Sequence, residues 1–254
     1  MSTTSKIALV TGGSRGLGKD MAISLAKKGI DVILTYRNNE EAAIDTVKSI
    51  EALGQKAAAL MLDMAAIKTL DAFVQEVLST LQSKWNTGTF DFLINNAGIG
   101  GGVPFEKVSE EMFDEFLNVH FKGVYFLTQK LLPYTNNGGR IINISTGTTR
   151  FTNPGYSVYA SMKGAMEVLT KYLARELGPK AITCNIVAPG PIETDFNNAT
   201  IRNNPQLKER LSALSPLNRV GNAEDIGPVV AFLCTEEAAW INGQRIEVSG
   251  GINV

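Results

Sequence analysis

Histidine and cysteine are scarce in this sequence, one and two respectively in 254 residues. A histidine-based triad or a metal cluster would have to rest on His120 alone, whereas such sites recruit several groups at once. Cys184 and Cys234 stand far apart in apolar surroundings, without the paired spacing of a zinc site or redox motif, so both read as buried thiols in a reducing compartment. Charge of one sign is lacking as well. Lys plus Arg number 24 against 25 Asp plus Glu, and the net charge of -1 removes the basic footprint of a nucleic-acid or membrane-surface protein. No apolar run approaches the length that spans a bilayer. The opening MSTTSK is short and polar and leads straight into a strand-like segment, without the apolar core and cleavage site of a signal peptide. The expectation is a cytoplasmic protein acting on a small molecule.

What the sequence does contain is a large apolar fraction, 44%, enough for a substantial core. Short apolar runs recur at KIALV, DVILTY, AAALML, FDFLIN, RIINIS, AITCNIVA and QRIEV. Between most of them lie segments with apolar residues at three- and four-residue intervals, among them GLGKDMAISLAKKG, NEEAAIDTVKSIEALG and TLDAFVQEVLSTLQ. Strands that are apolar throughout, alternating with helices, predict a parallel sheet covered on both faces. With no linker, repeat or low-complexity tract, residues 1–254 read as a single doubly wound α/β domain of the Rossmann type, with about seven strands. In such a sheet ligands bind beyond the carboxyl ends of the strands, where strand order reverses.

Directly after the first strand comes TGGSRGLG, residues 11–18, with Gly12, Gly16 and Gly18 spaced as G-x-x-x-G-x-G. Glycines allow a tight turn and let backbone amides approach a pyrophosphate at the start of the next helix. Gly12, Ser14, Arg15, Gly16, Leu17 and Gly18 are therefore candidates to hold a dinucleotide. An unliganded strand-to-helix turn is the plainer alternative. At the end of the second strand an acidic residue would bind a ribose 2′-hydroxyl, whereas arginine would pair with a 2′-phosphate. Tyr36 and Arg37 stand there, and Arg15 adds a second guanidinium, so NADP(H) is favoured over NAD(H).

At this point the chain resembles the short-chain dehydrogenase/reductase family over nearly its whole length. The resemblance is carried by TGGSRGLG, by Asp63 after the third strand, by NNAG at 95–98, by Asn118 in FLNVHFKG, by Tyr159 and Lys163 as Y-x-x-x-K, and by PGPIET at 189–194. The closing INGQRIEVSGG also looks like the family's last strand and glycine pair. By that resemblance Asp63 and Met64 border the adenine, Asn95, Ala97 and Gly98 line the ribose and the middle of the cleft, and Pro189, Gly190, Ile192 and Thr194 hold the nicotinamide carboxamide. Within the family the nearest match in style is the branch of 3-oxoacyl-carrier-protein reductases.

Reduction of a ketone needs a proton donor and groups that hold the carbonyl oxygen as it gains charge. Tyr159 is the expected acid, and Lys163 one helical turn on is expected to lower its pKa. The resemblance adds that Lys163 bonds the nicotinamide ribose and that Asn118 belongs to a water-linked proton path. The family's serine, thirteen residues before the tyrosine, is here Thr146, with Ser145 its neighbour. Threonine keeps the hydroxyl. Ser145 could replace it only if the strand bends, because neighbours on a strand face opposite ways. Tyr156 stands seven residues before Lys163, the interval of an enoyl reductase, which is one alternative function; a cofactor-sensing protein without turnover is another. Otherwise Tyr156 reads as a pocket wall.

The resemblance also implies a substrate lid at about 191–218, in which Phe196, Ile201, Leu207, Leu211 and Leu214 either line a pocket or form the inner face of a helix. Gly100 to Gly102 read as another flexible edge of the cleft. The family is commonly a homotetramer, built through long helices near 109–133 and 157–177 and the last strand.

Overall fold

The computed structural model describes residues 5–253, so most of the polar opening MSTTSK lies outside it. Seven strands form one parallel sheet in the order β3-β2-β1-β4-β5-β6-β7. In chain order the elements begin β1 (Ile7–Val10), α1 (Gly16–Ala26), β2 (Asp31–Tyr36), α2 (Glu40–Glu51), β3 (Ala57–Met61) and α3 (Leu70–Trp85). They continue with β4 (Phe90–Asn95), α4 (Glu110–Leu117), α5 (Gly123–Leu131), β5 (Thr135–Ile144) and α6 (Ser157–Leu177). The last are β6 (Thr183–Pro189), the short turn α7 (Phe196–Ala199), α8 (Pro205–Ala213), α9 (Gly227–Leu233) and β7 (Arg245–Val248). The chain builds outward from β1 through β2 to β3, then returns to place β4 on the other side of β1. The crevice that this reversal opens lies beyond the ends of β1 and β4.

Strand β1 shows why the runs are apolar without alternation. Leu9 belongs to a core with Phe73, Val77 and Leu81 of α3 and Leu127 and Leu131 of α5. Its neighbours Ala8 and Val10 belong to the opposite core, with Met21 and Leu25 of α1, Ile50 of α2 and Val230 and Leu233 of α9. Both faces are covered, so both parities are apolar. Capping sets helix starts: the Asn39 side chain accepts from the Ala42 N–H at 2.9 Å, with Glu40 and Glu41 in the first turn of α2.

Two expectations change. Strand β5 begins at Thr135 instead of Arg140, because TNNGG pairs beside β4 across an irregularity between Phe90 and Phe92 despite its polar composition. The helix expected over 109–133 is not continuous: Asn118–Lys122 forms a π-helical turn between α4 and α5, closed by the Gly123 N–H bonding to the Asn118 carbonyl. Gly123 there packs on the Met64 carbonyl so closely that a Cβ would collide with it.

Candidate active site

A cleft of about 1130 Å³ opens at the ends of β1 and β4. Its floor is a backbone device. Thr11, just past β1, accepts the N–H groups of Asn96 and Ala97 at 3.0 Å through its hydroxyl oxygen, and the Asn96 amide donates to the Thr11 and Gly12 carbonyls at 2.9 and 3.1 Å. These bonds fasten the glycine loop to the end of β4. A Cβ on Gly18 would run into the Gly12 carbonyl, so only glycine lets α1 start this close to the loop. The first turn of α1 carries no acidic residue and its N-cap residue, Arg15, makes no side-chain cap. Unbonded N–H groups and the positive helix end thus meet the cleft where Gly16, Leu17 and Gly18 line it.

Gly12, Ser14 and Arg15 also line this part, as do Tyr36, Arg37, Asp63 and Met64 further out. Arg15 and Arg37 are exposed, and among the described residues neither takes part in an ion pair. The residues present therefore fit a dinucleotide: an amide cradle for a pyrophosphate and two unpaired guanidinium groups near the place of a 2′-phosphate.

NNAG divides between core and cleft. Ala97 and Gly98 line the cleft, but Asn95 does not: it is buried and its amide donates to Thr128 at 3.1 Å and Asn143 at 2.9 Å. Asn96 lines the cleft in its place. Strand alternation explains the exchange, since the last residue of β4 points into the core and the next turns outward. Pro189, Gly190, Ile192 and Thr194 follow β6 along the opposite wall. The Gly190 N–H bonds the Val248 carbonyl at 3.0 Å, and Thr194 lies against Gly16, bringing the two cofactor loops together.

At the inner end, Thr146, Tyr159 and Lys163 share one wall. Thr146 directly follows Ser145, and the two hydroxyls are used differently. Ser145 donates to Glu167 at 2.6 Å, which spends its proton. Glu167 also accepts from Thr149 at 2.7 Å and from Arg245 at 2.9 Å; burial opposes its ionised form, but these bonds prevail and hold its pKa below the usual range. The Thr146 oxygen instead accepts from the N–H and the hydroxyl of Thr148, both at 3.2 Å. A hydroxyl has two acceptor sites and one proton, so Thr146 is left with a proton to donate.

Part of the Tyr159 ring faces the cleft, yet burial of its hydroxyl raises the pKa well above the ordinary phenol value, with the Thr146 side chain pulling the other way. Lys163 is buried and donates to the Ile144 carbonyl at 2.7 Å, and desolvation lowers its pKa to about 8. Its ammonium lies 5.8 Å from the Tyr159 ring centre. The lowering of the phenol expected from the lysine does not appear here: burial sets the shift, only the Thr146 side chain opposes it, and the tyrosine holds its proton. Asn118 is not part of the cleft wall; its carbonyl closes the π turn, and Val119 and His120 line the cleft instead.

The outer wall comes from 195–211. Phe196, Ile201, Leu207 and Leu211 line the cleft, whereas Leu214 is exposed. Tyr156 and Phe196 flank Tyr159, with ring centres 6.4 and 6.3 Å from it. The Asn197 amide donates to the Tyr156 hydroxyl at 3.1 Å. A Cβ on Gly100 would come within 2.9 Å of Asn197, so the glycines after NNAG form a close seam with this wall instead of a loose edge.

The sheet order and the glycine loop at its switch point define a dinucleotide-binding α/β protein. The family model described as Enoyl-(Acyl carrier protein) reductase matches residues 12–253. The chain belongs to the short-chain dehydrogenase/reductase family. It is 35% identical to tetrahydroxynaphthalene reductase PfmaG of Pestalotiopsis fici, over 97% of this chain and 91% of that protein. It is 37% identical to the 3-oxoacyl-[acyl-carrier-protein] reductase FabG of Staphylococcus aureus, over 97% and 98%. Among solved structures, the angucycline C-6 ketoreductase LanV with bound NADP superposes with a TM-score of 0.92 at 36% identity, covering 97% of this chain and 95% of that one.

Proposed function

We propose that this chain reduces a ketone to a secondary alcohol with NADPH, Tyr159 being the proton donor. The observation that carries the reading is the convergence of a protonated phenol, a hydroxyl at Thr146 with its proton unspent, and the Lys163 ammonium on one wall of the cleft. Bound NADPH supplies the hydride. Thr146 donates to the substrate oxygen as it gains negative charge, and Tyr159 then gives that oxygen its proton. Lys163 stands beside the phenolate left behind and offsets its charge. Arg15 and Arg37, which line the cleft, would hold the 2′-phosphate of NADP, the cofactor bound to LanV.

The ketoreductases among the relatives support carbonyl reduction. The enoyl alternative would place the acid at Tyr156, whereas the Thr146 side chain and the Lys163 ammonium both stand by Tyr159. The aromatic walls supplied by Tyr156 and Phe196 favour a ketone carrying a flat ring. We take the chain as one domain with residues 191–218 as the lid over this pocket. Exposed Tyr125, Val168 and Tyr172 along α5 and α6 support a homotetramer, and two buried free thiols support a cytoplasmic location.

The test is a panel of aromatic ketones, a 3-oxoacyl thioester and a 2-enoyl thioester, each with NADPH and NADH. Ketone reduction with NADPH is expected, and turnover confined to the enoyl substrate would overturn the proposal. Tyr159→Phe is expected to lower kcat about 10²- to 10⁴-fold while NADPH affinity changes less than about twofold. Unchanged turnover in that variant would point to Tyr156, and NADPH binding without turnover on any carbonyl would point to a binding protein.

A further inference from the structure

Arg245 of β7 donates through Nη2 to the Thr146 carbonyl at 3.3 Å, yet none of Arg245, Glu167 and Glu247 forms part of the cleft wall. We propose that Arg245 is a positioning residue, whose guanidinium, fixed between Glu167 and Glu247, holds the Thr146 backbone and so aims the Thr146 hydroxyl at the substrate oxygen. The inference rests on the reading of Thr146 as a donor to that oxygen.

The sheet releases the chain just before Thr146. Strand β5 stops at Ile144, and the Ser145 N–H still bonds the Val187 carbonyl at 2.7 Å. From Thr146 the chain enters a short turn over Gly147–Thr149. Besides Arg245, the donors that face the Thr146 carbonyl among the described residues both belong to Thr149: its N–H at 3.5 Å and its hydroxyl at 2.9 Å. That hydroxyl has a single proton. It lies 2.7 Å from the Glu167 carboxylate, which is ionised and therefore the stronger acceptor. With the proton directed to Glu167, the Thr146 carbonyl keeps an N–H contact at the limit of hydrogen-bond length and the charged guanidinium.

The shape of arginine suits this place. Nε donates to Glu167 at 2.9 Å, Nη1 to Glu247 at 3.1 Å, and Nη2 to the Thr149 hydroxyl at 3.2 Å as well as to the Thr146 carbonyl. Glu247 also accepts from Arg150 at 3.0 Å, so the turn is tied to β7 on both of its flanks. A planar fork presents its donors in fixed directions, whereas an ammonium on a flexible stem is a point charge. Ser145 adds its bond to Glu167 without touching the guanidinium. Threonine branches at Cβ and has few side-chain rotamers, so the direction of the Thr146 hydroxyl follows its backbone. A carbonyl that drifts therefore swings the hydroxyl with it, and a misplacement of about 1 Å lowers a rate by up to about 10²-fold.

The test is a double-mutant cycle read in kcat, with the aromatic ketone that the parent chain reduces fastest, and with NADPH affinity and melting temperature measured alongside. Arg245→Met keeps the stem and removes the fork. Its kcat is expected to fall about ten- to hundredfold, with substrate KM and NADPH Kd within about twofold. In the Thr146→Val background, where no hydroxyl remains to be aimed, the same substitution is expected to lower kcat less than about twofold. An arginine that served stability alone would lower kcat alike in both backgrounds, and that outcome overturns the proposal. Arg245→Lys keeps the charge between the two carboxylates, so the cycle can be run with it even where the Met variant does not fold. It is expected to hold a melting temperature near the parent's while kcat stays about fivefold or more below it. A folded Arg245→Lys or Arg245→Met with the parent kcat overturns the inference alone, whereas Thr146→Val at the parent rate, or reduction of no ketone by the parent, overturns the reading beneath it.

Discussion

The two ends of the cleft are built by different means. The glycine-loop end is held by buried strands and backbone hydrogen bonds, with Thr11 and Asn96 tying β1 to β4 through contacts of 2.9 to 3.1 Å. The lid end is held by side chains. There Asn197 reaches Tyr156, Arg202 pairs with Asp195 at 2.7 Å, and Asn197, Asn198 and Ala199 all take positive φ. Left-handed non-glycine residues carry strain of order 1–3 kcal/mol each, and exposed ion pairs return less than about 1 kcal/mol. One end is preorganised for a ligand of constant shape, while the other can exchange its side chains without disturbing the sheet.

The strongest way to break this contrast is at Thr146, where the two ends meet. Thr146→Val keeps the shape and removes the donor, and kcat is expected to fall about 10²- to 10³-fold. Ser145→Ala, which loosens Glu167, is expected to lower the melting temperature by a few degrees and leave most of the rate, about a 1 kcal/mol effect. Equal losses of rate in both variants would reverse the assignment of the two hydroxyls.

The next effect concerns stability. Lys163 is lowered from the ordinary value of 10.5 to about 8 in the folded chain. Between those values the unfolded chain binds more protons, so stability rises with pH through that window and is lower below about pH 8, by roughly 3 kcal/mol. Lys163→Met is expected to flatten this rise in denaturant titrations at several pH values. A Met variant that keeps the parent's pH dependence would show that the charge is not what the buried site resists.

Smaller still is the cofactor preference at the rigid end. Arg15→Ala combined with Arg37→Ala is expected to raise the KM for NADPH about tenfold or more and leave that for NADH nearly unchanged. If both rise together, the arginines act on the shared pyrophosphate. The smallest effect belongs to the lid: Asn197→Ala is expected to raise substrate KM about two- to fivefold with NADPH binding unchanged. A change in NADPH binding in that variant would couple the two ends.

The alternation of apolar runs with helical periods located all seven strands, because strands covered on both faces have few other compositions open to them. The segment TNNGG escaped that test, since its pairing beside β4 owes nothing to apolar side chains. Most of the cleft was also legible, from Gly12 through Thr194. Asn95 and Asn118 stand outside the cleft wall for one reason: where a strand ends and how a helix turns decide which residues reach it, and a motif encodes neither. Asn96 and His120 were missed as site residues. Strand parity after β4 could have indicated Asn96, but a lone histidine carries no spacing to read.

The sequence by itself determined the sheet, the glycine loop and the Y-x-x-x-K pair, because apolar periodicity and glycine spacing are local properties that survive without contacts. Only the tertiary structure decided which hydroxyl keeps its proton. Ser145 and Thr146 are adjacent and chemically alike, and they are told apart by Glu167, which folding brings from α6 to Ser145 while Thr146 meets only its near neighbour Thr148. The same holds for His120, at whose ring a π turn, a glycine at 98 and the Ile99 backbone meet.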